Sequence, residues 1–221
     1  MKDTWYGDNR DPVKWTVLLH LAQKFGMRCV FQVLYHRPSE WKSVEVDDEK
    51  VEISTPVIAH FRDCGSIRRL GSDDLEICVF DKEFAGRAEY AREVCAAIRN
   101  HSKRPKLVFL DPDTGLSSPN SRPTPKHVSV SEVREVWDAL LAHDFLMLYQ
   151  HAFRDHEWKS IKMKQFSDAV SSSPNQVKVA HAPDFPAARD VAFYYICKAV
   201  GTPIRNPLQS PHASHCPSDS R

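Results

Sequence analysis

Apolar positions along this chain recur in two periods. Short, almost unbroken apolar runs occupy 28–35, 75–80, 107–110 and 145–149. They are rich in Val, Ile, Leu and Phe, as strands buried on both faces are. Elsewhere apolar residues return every third or fourth position, over 11–25, 84–100 and 132–143. That is the spacing of helices with one buried face. The alternation of the two patterns predicts an α/β fold, a three-layer αβα sandwich with a mostly parallel central sheet. One domain is expected over 1–201. Residues 202–221, with four prolines and many serines, read as a flexible tail.

Local signals refine these elements. Asp11 followed by Pro12 predicts a helix start with Asp11 as N-cap, and Gly26 predicts its end. Residues 39–54 are charged, with Val44, Val46, Val51 and Ile53 alternating, which fits a small hairpin or an exposed insertion. Residues 56–70 carry a short helical pattern that includes His60. Ser131 is the expected cap of the helix over 132–143. The loop over 117–127 holds three prolines. A helix is expected to end near Val170, a short strand to cover 176–181, and the apolar run 190–197 to close the sheet as strand or helix. From Arg154 to Lys164, basic residues interleave with Trp158, a pattern that suits a phosphate backbone or a solvated helix face.

Composition narrows the function classes. Lys plus Arg is 30 and Asp plus Glu is 29. Bulk charge therefore gives no basis for binding nucleic acid, although a local groove remains compatible with it. No apolar run reaches ~18 residues, so a cytoplasmic protein without a membrane span is the expectation. The six cysteines form no C-x-x-C pair, which argues against structural zinc. Cys29, Cys78 and Cys197 read as core residues. His212, His215 and Cys216 could bind a metal, but they stand in the tail.

Chemistry gathers at element ends. The run Leu107-Val-Phe-Leu110 stops at Asp111-Pro112-Asp113-Thr114-Gly115, so two carboxylates follow a central strand. In open α/β sheets, ligands bind at that edge. Asp8, Asn9, Arg10, Asp11 and Lys14 crowd the start of the first helix, an end that favours anions. Gln150 and His151 follow the apolar run that ends at Tyr149. If the strands are neighbours, Asp111 and His151 share one edge and make a usable acid/base pair. Three reactions fit: base excision, metal-dependent phosphodiester cleavage with Asp8, Asp111 and Asp113 as ligands, and methyl transfer.

In combination, the motifs Tyr6-Gly-Asp-Asn-Arg-Asp-Pro-Val-Lys-Trp15, Phe109-Leu-Asp-Pro-Asp-Thr-Gly-Leu116 and Tyr149-Gln-His151 resemble a small bacterial family of anti-phage DNA glycosylases. The resemblance covers roughly 5–155. It implies excision of glucosylated hydroxymethylcytosine from double-stranded phage DNA, with no cofactor and no resident metal. The opening and the Asp-Pro motif also look distantly like adenine-N6 methyltransferases of the ribosomal-RNA type. This chain departs from those in having Asp113 where a second proline stands, and in lacking a glycine-rich loop after its first strand. On the glycosylase reading, Asp111 and Asp113 activate water or stabilise positive charge, assisted by Asp8 and Asn9 at the sugar or base. His151 and Gln150 hold the leaving base, Tyr6 and Tyr149 stack on it, and Arg10, Lys14 and Arg154 hold the backbone. A Mg²⁺-dependent nuclease and a degenerate methyltransferase-like binding domain are the alternatives.

Overall fold

Leu107, Val108, Phe109 and Leu110 offer water no polar side chain, and the fold answers by burying both of their faces. A computed structural model describes residues 7–37, 43–118 and 122–199. In it, β5 (Lys106–Leu110) lies third in a six-stranded sheet. The order runs β4 (Glu76–Phe80), β1 (Cys29–Val33), β5, β8 (Phe145–His151), β10 (Val191–Cys197), β9 (Lys178–Ala180). The pairs from β4 to β8 are parallel, and β10 runs antiparallel to both of its neighbours. The expected α/β sandwich with a mostly parallel sheet is therefore the fold.

The period of two along each strand divides the interior into two cores. Val108 and Leu110 join Phe31, Val33, Leu146 and Leu148 beneath α3 (Arg87–Asn100), α4 (Val130–Ala139) and α5 (Trp158–Ala169). Leu107 and Phe109 join Val30, Leu34, Met147 and Phe193 on the other side, against α1 (Asp11–Lys24) and a 3-10 helix (Cys64–Leu70). A fully buried Lys106 and a nearly buried Lys198 cap helices from within the sheet. Lys106 Nζ donates to the carbonyls of Ile98 (2.7 Å) and His101 (2.9 Å) at the end of α3. Lys198 Nζ donates to those of Trp137 (2.7 Å) and Leu140 (2.9 Å) at the end of α4. Both satisfy carbonyls that a helix end leaves open.

Some of the remaining expectations are met and others change. The alternating stretch is a hairpin, β2 (Ser43–Val46) and β3 (Glu49–Glu52), apart from the main sheet. Its two-residue turn places Asp47 and Asp48 at positive φ, as a tight hairpin requires. Residues 56–70 form α2 (Thr55–Arg62) and the 3-10 helix. The helix expected over 132–143 begins earlier. Ser129, not Ser131, is its cap, in a reciprocal capping box with Glu132. Asp11 is not an N-cap. Arg10 takes that position, and the Asp11 carboxylate instead accepts from Gly7 N at 2.7 Å. Cys29 is buried as expected, but Cys78 is half-buried and Cys197 is exposed. Trp158 and Lys162 lie inside rather than on a solvated face, and Lys164 pairs with Asp168. No helix among the described residues is long and apolar enough to cross a membrane. The side chain of His60, and the tail with His212, His215 and Cys216, lie outside the described residues.

Candidate active site

The chain enters β1 directly from α1, so α1 runs back along the sheet. Its first turn stands over the carboxyl ends of the parallel strands. The strand order reverses between β1 and β5, the position at which α/β sheets open a crevice. A cavity of about 390 Å³ lies at this edge. Asp8, Arg10, Lys14, Asp111, Asp113 and His151 border it, along with Thr114, Lys126 and Tyr149. The three polar clusters of the sequence thus converge.

Asp111 and Lys14 form the floor. Asp111 is 1% exposed. Lys14 Nζ lies 3.2 Å from its Oδ1 and 3.1 Å from Asp11 Oδ1. Gln32 Nε2 donates to Asp111 Oδ2 at 2.9 Å. Burial works against the Lys14 charge, but Asp111 and then Asp11 outweigh it and hold its pKa above the ordinary lysine value. Burial in turn raises the pKa of Asp11. Lys14 is therefore a fixed positive charge rather than a proton donor. Its ammonium also stands 4.8 Å from the centre of the Tyr149 ring.

His151 and Asp190 form one wall. His151 Nδ1 lies 3.3 Å from Asp190 Oδ2, and Arg10 Nη2 reaches the same oxygen at 3.2 Å. The register explains the meeting: Val191 on β10 pairs with His151 on β8, so Asp190 arrives beside the imidazole. Burial lowers the His151 pKa more than Asp190 raises it, and Arg10 and Lys14 push the same way as burial. A neutral ring that donates from Nδ1 to Asp190 leaves Nε2 as an acceptor.

The second carboxylate of the Asp-Pro-Asp turn, Asp113, is buried and pairs with Arg37, which follows β1. Gly115 takes φ +110°, and a Cβ there would stand 2.4 Å from Gln150 Oε1. Glycine is therefore required for the turn to close against β8. Asp8 Oδ1 accepts from Arg10 N at 2.8 Å and fixes the approach to α1.

Other sequence candidates stand elsewhere. Gln150 and His151 belong to β8 rather than following it. The Gln150 side chain is buried, accepts from Leu116 N (2.8 Å) and donates to the carbonyls of Thr114 (3.1 Å) and His151 (2.8 Å). It braces the turn and is not presented to a ligand. Tyr149 is buried, with its ring against Lys14, His151 and Phe193, so it acts as a wall rather than a stacking plane. Asn9 and Arg154 are exposed and do not border the cavity. Tyr6 lies outside the described residues. The basic stripe over 154–164 dissolves: Asp155 and Glu157 are exposed beside Arg154 and Lys159, while Lys162 is buried.

Sequence reasoning missed Gln32, Arg37, Lys126 and Asp190. Two of these carried a signal. Gln32 is an amide inside an apolar strand, which must find a buried partner. Asp190 directly precedes an apolar run.

Among the described residues, no group of three His, Cys, Asp or Glu stands close enough to hold a metal ion. The ligand set Asp8, Asp111 and Asp113 does not fit one, because Lys14 and Arg37 already neutralise the two strand-end carboxylates. A nucleotide cofactor also fits poorly past the end of β1. There Tyr35, Phe84 and Tyr90 pack ring on ring, and Phe84 N donates to His36 O at 2.7 Å. No protein-family model matches this chain, and no curated protein matches it.

Proposed function

We propose that the chain is a hydrolase of N-glycosidic bonds in DNA. One arrangement carries the reading: an oriented, neutral His151 and a buried, charge-fixed Asp111 and Lys14 border one cavity of about 390 Å³, a volume suited to one nucleoside. The base enters the cavity after leaving the duplex stack. His151 Nε2 takes a proton from water, and Asp190 stabilises the imidazolium that results. The water oxygen bonds to C1′ as the bond from C1′ to the base nitrogen breaks. Asp8 favours the positive charge that develops on the sugar, while Asp111 and Asp113, paired with Lys14 and Arg37, shape the floor beneath it. Lys14, Arg10 and Lys126 favour the negative charge on the departing base, which finally takes the proton from His151. The preferred base is a glucosylated hydroxymethylcytosine of phage DNA, as the motif resemblance implies.

The test is turnover on two duplexes, unmodified and carrying that base, each with and without EDTA. Free modified base, released equally in EDTA, is expected. His151→Asn should lower kcat by about 10²–10⁴-fold with an unchanged melting temperature. Because the base must be neutral and its pKa is lowered, activity should hold through neutral pH and decline only below the ordinary histidine range. Strand breaks that vanish with EDTA would replace this reading by the nuclease.

A second reading draws on the ion pairs themselves. Asp111 and Asp113 are held by Lys14 and Arg37 as structural carboxylates are. A binding module of methyltransferase-like form would use them in that way. It predicts DNA binding without turnover, and indifference to His151→Asn.

A further inference from the structure

Lys162, on α5, is 3% exposed, and no step of the proposed hydrolysis uses it. Its Nζ donates to the carbonyls of Leu116 (2.8 Å) and Ser117 (3.2 Å) and to Gln165 Oε1 (2.9 Å). Gln165 Nε2 donates to the same Ser117 carbonyl at 2.7 Å. An ammonium has three N–H groups for these three acceptors, whereas a neutral amine has two. From the other side, Gln150 holds Leu116 N and the Thr114 carbonyl. Residues 114–117 are thus gripped between β8 and α5, directly after the Asp111-Pro112-Asp113 turn. Thr114 N also donates to Lys126 O at 3.0 Å, so the same grip reaches a second part of the cavity rim.

We propose that Lys162 is a positioning residue for the candidate site: its side chain locks the 114–117 segment, which follows Asp113 and brings Thr114 to the cavity. The part of this that concerns catalysis rests on the hydrolase reading; the lock does not. Burial brings the Lys162 pKa down to about 8. Among the described residues no carboxylate pairs with it. From β7 (His127–Val128) it meets His127, whose own pKa is lowered by burial and then by Lys162 and Arg87, against a smaller opposing pull from Asp113; Lys126 adds a further lowering. From β10, Tyr194 reaches α5 at the Lys159 carbonyl, and burial keeps its phenol protonated. Beyond β8, the Phe153 ring stands 5.4 Å from the ammonium. Arg134 of α4 donates to the carbonyls of Asp168 and Ala169 at the far end of α5.

The experiment compares the full chain with Lys162→Arg, which stays charged, and Lys162→Met, which carries no charge. Two readouts are taken at pH 7: kcat and KM on the modified duplex, and hydrogen exchange of the Leu116 and Ser117 amides, corrected for intrinsic rates. Lys162→Met should lose about tenfold in kcat at steady KM and about tenfold in protection of the two amides. Lys162→Arg should restore most of both. Should the arginine variant not fold, a loss of protection in Lys162→Met confined to this segment carries the test alone. That loss without turnover of any DNA by the wild type would sustain the lock and sink the hydrolase reading. Turnover and protection identical in wild type and Lys162→Met would overturn the lock and leave the hydrolase standing.

Discussion

Gly115 shows how one residue can hold a site that it does not line. Its φ of +110° and its closeness to Gln150 exclude any side chain. Gly115→Ala should destabilise the chain by about 1–3 kcal/mol, measured as a shift of the urea midpoint at constant m-value. A loss below the scatter of the measurement would mean that Gln150 can step aside. At this scale the sequence was informative about identity and poor about orientation. Asp111, Asp113 and His151 meet because β5 and β8 prove to be parallel neighbours with their carboxyl ends on one edge, and the first turn of α1 brings Asp8, Arg10 and Lys14 to them, which the sequence left to the strand order. Gln150 and Tyr149 were misplaced for one physical reason. The apolar run ending at Tyr149 gave no sign that β8 continues through His151, so Tyr149, expected at a strand end, and Gln150, expected beyond it, both lie inside the strand and are buried.

Between elements, Lys14 ties α1 to the sheet. It lies among Asp11 of its own helix, Asp111 beyond β5 and the Tyr149 ring of β8. Lys14→Met would leave the buried Asp111 without its cation and should cost about 3–5 kcal/mol. The double variant Lys14→Met with Asp111→Asn should cost less than the two single changes summed, by about 0.5–3 kcal/mol. Chemical denaturation of the four proteins measures that difference, and strict additivity would deny the contact. The helices themselves were legible in the 3.6-residue period. Their caps were less so: Ser129 and Ser131 are equally good candidates by type, and the reciprocal bond with Glu132 decides between them. Arg10 and Asp190 lie 180 residues apart, a separation at which no local pattern reports a contact.

For the whole molecule, stability depends on where buried groups hold their protons. Burial lowers the pKa of His127 and His151. The unfolded chain then binds more protons near pH 6.5 and below, so stability should rise as pH climbs through that range. Burial raises the pKa of Cys29, Cys78, Cys95, Tyr35, Tyr90 and Tyr194. Their contribution is complete below the ordinary thiol and phenol values and is lost above them. Lys106, Lys162 and Lys198 oppose this decline, since burial lowers their pKa values and a rise in pH relieves their buried charge before it reaches the ordinary lysine range. Urea midpoints from pH 5 to 11 should therefore rise, level off near 7–9 and then fall. A steady decline from pH 6 upward would contradict the assignment. The sheet and its layers were readable from the sequence because unbroken apolar runs and helical periods alternate. The insertion of β10 between β8 and β9 was not, because the order of strands in space leaves no trace in their order along the chain.

That insertion bears on how the protein comes into being. Ribosomes deliver α1 and its Arg10 first, then β8 with His151, then β9, and Asp190 with β10 after them; among the described strands β9 bonds to β10 alone, so it joins the sheet only once β10 has paired with β8. Until Asp190 arrives, the imidazole has no carboxylate beside it and Arg10 has no anchor. The wall that Arg10, His151 and Asp190 form beside the cavity is thus completed only when the last described strand is in place.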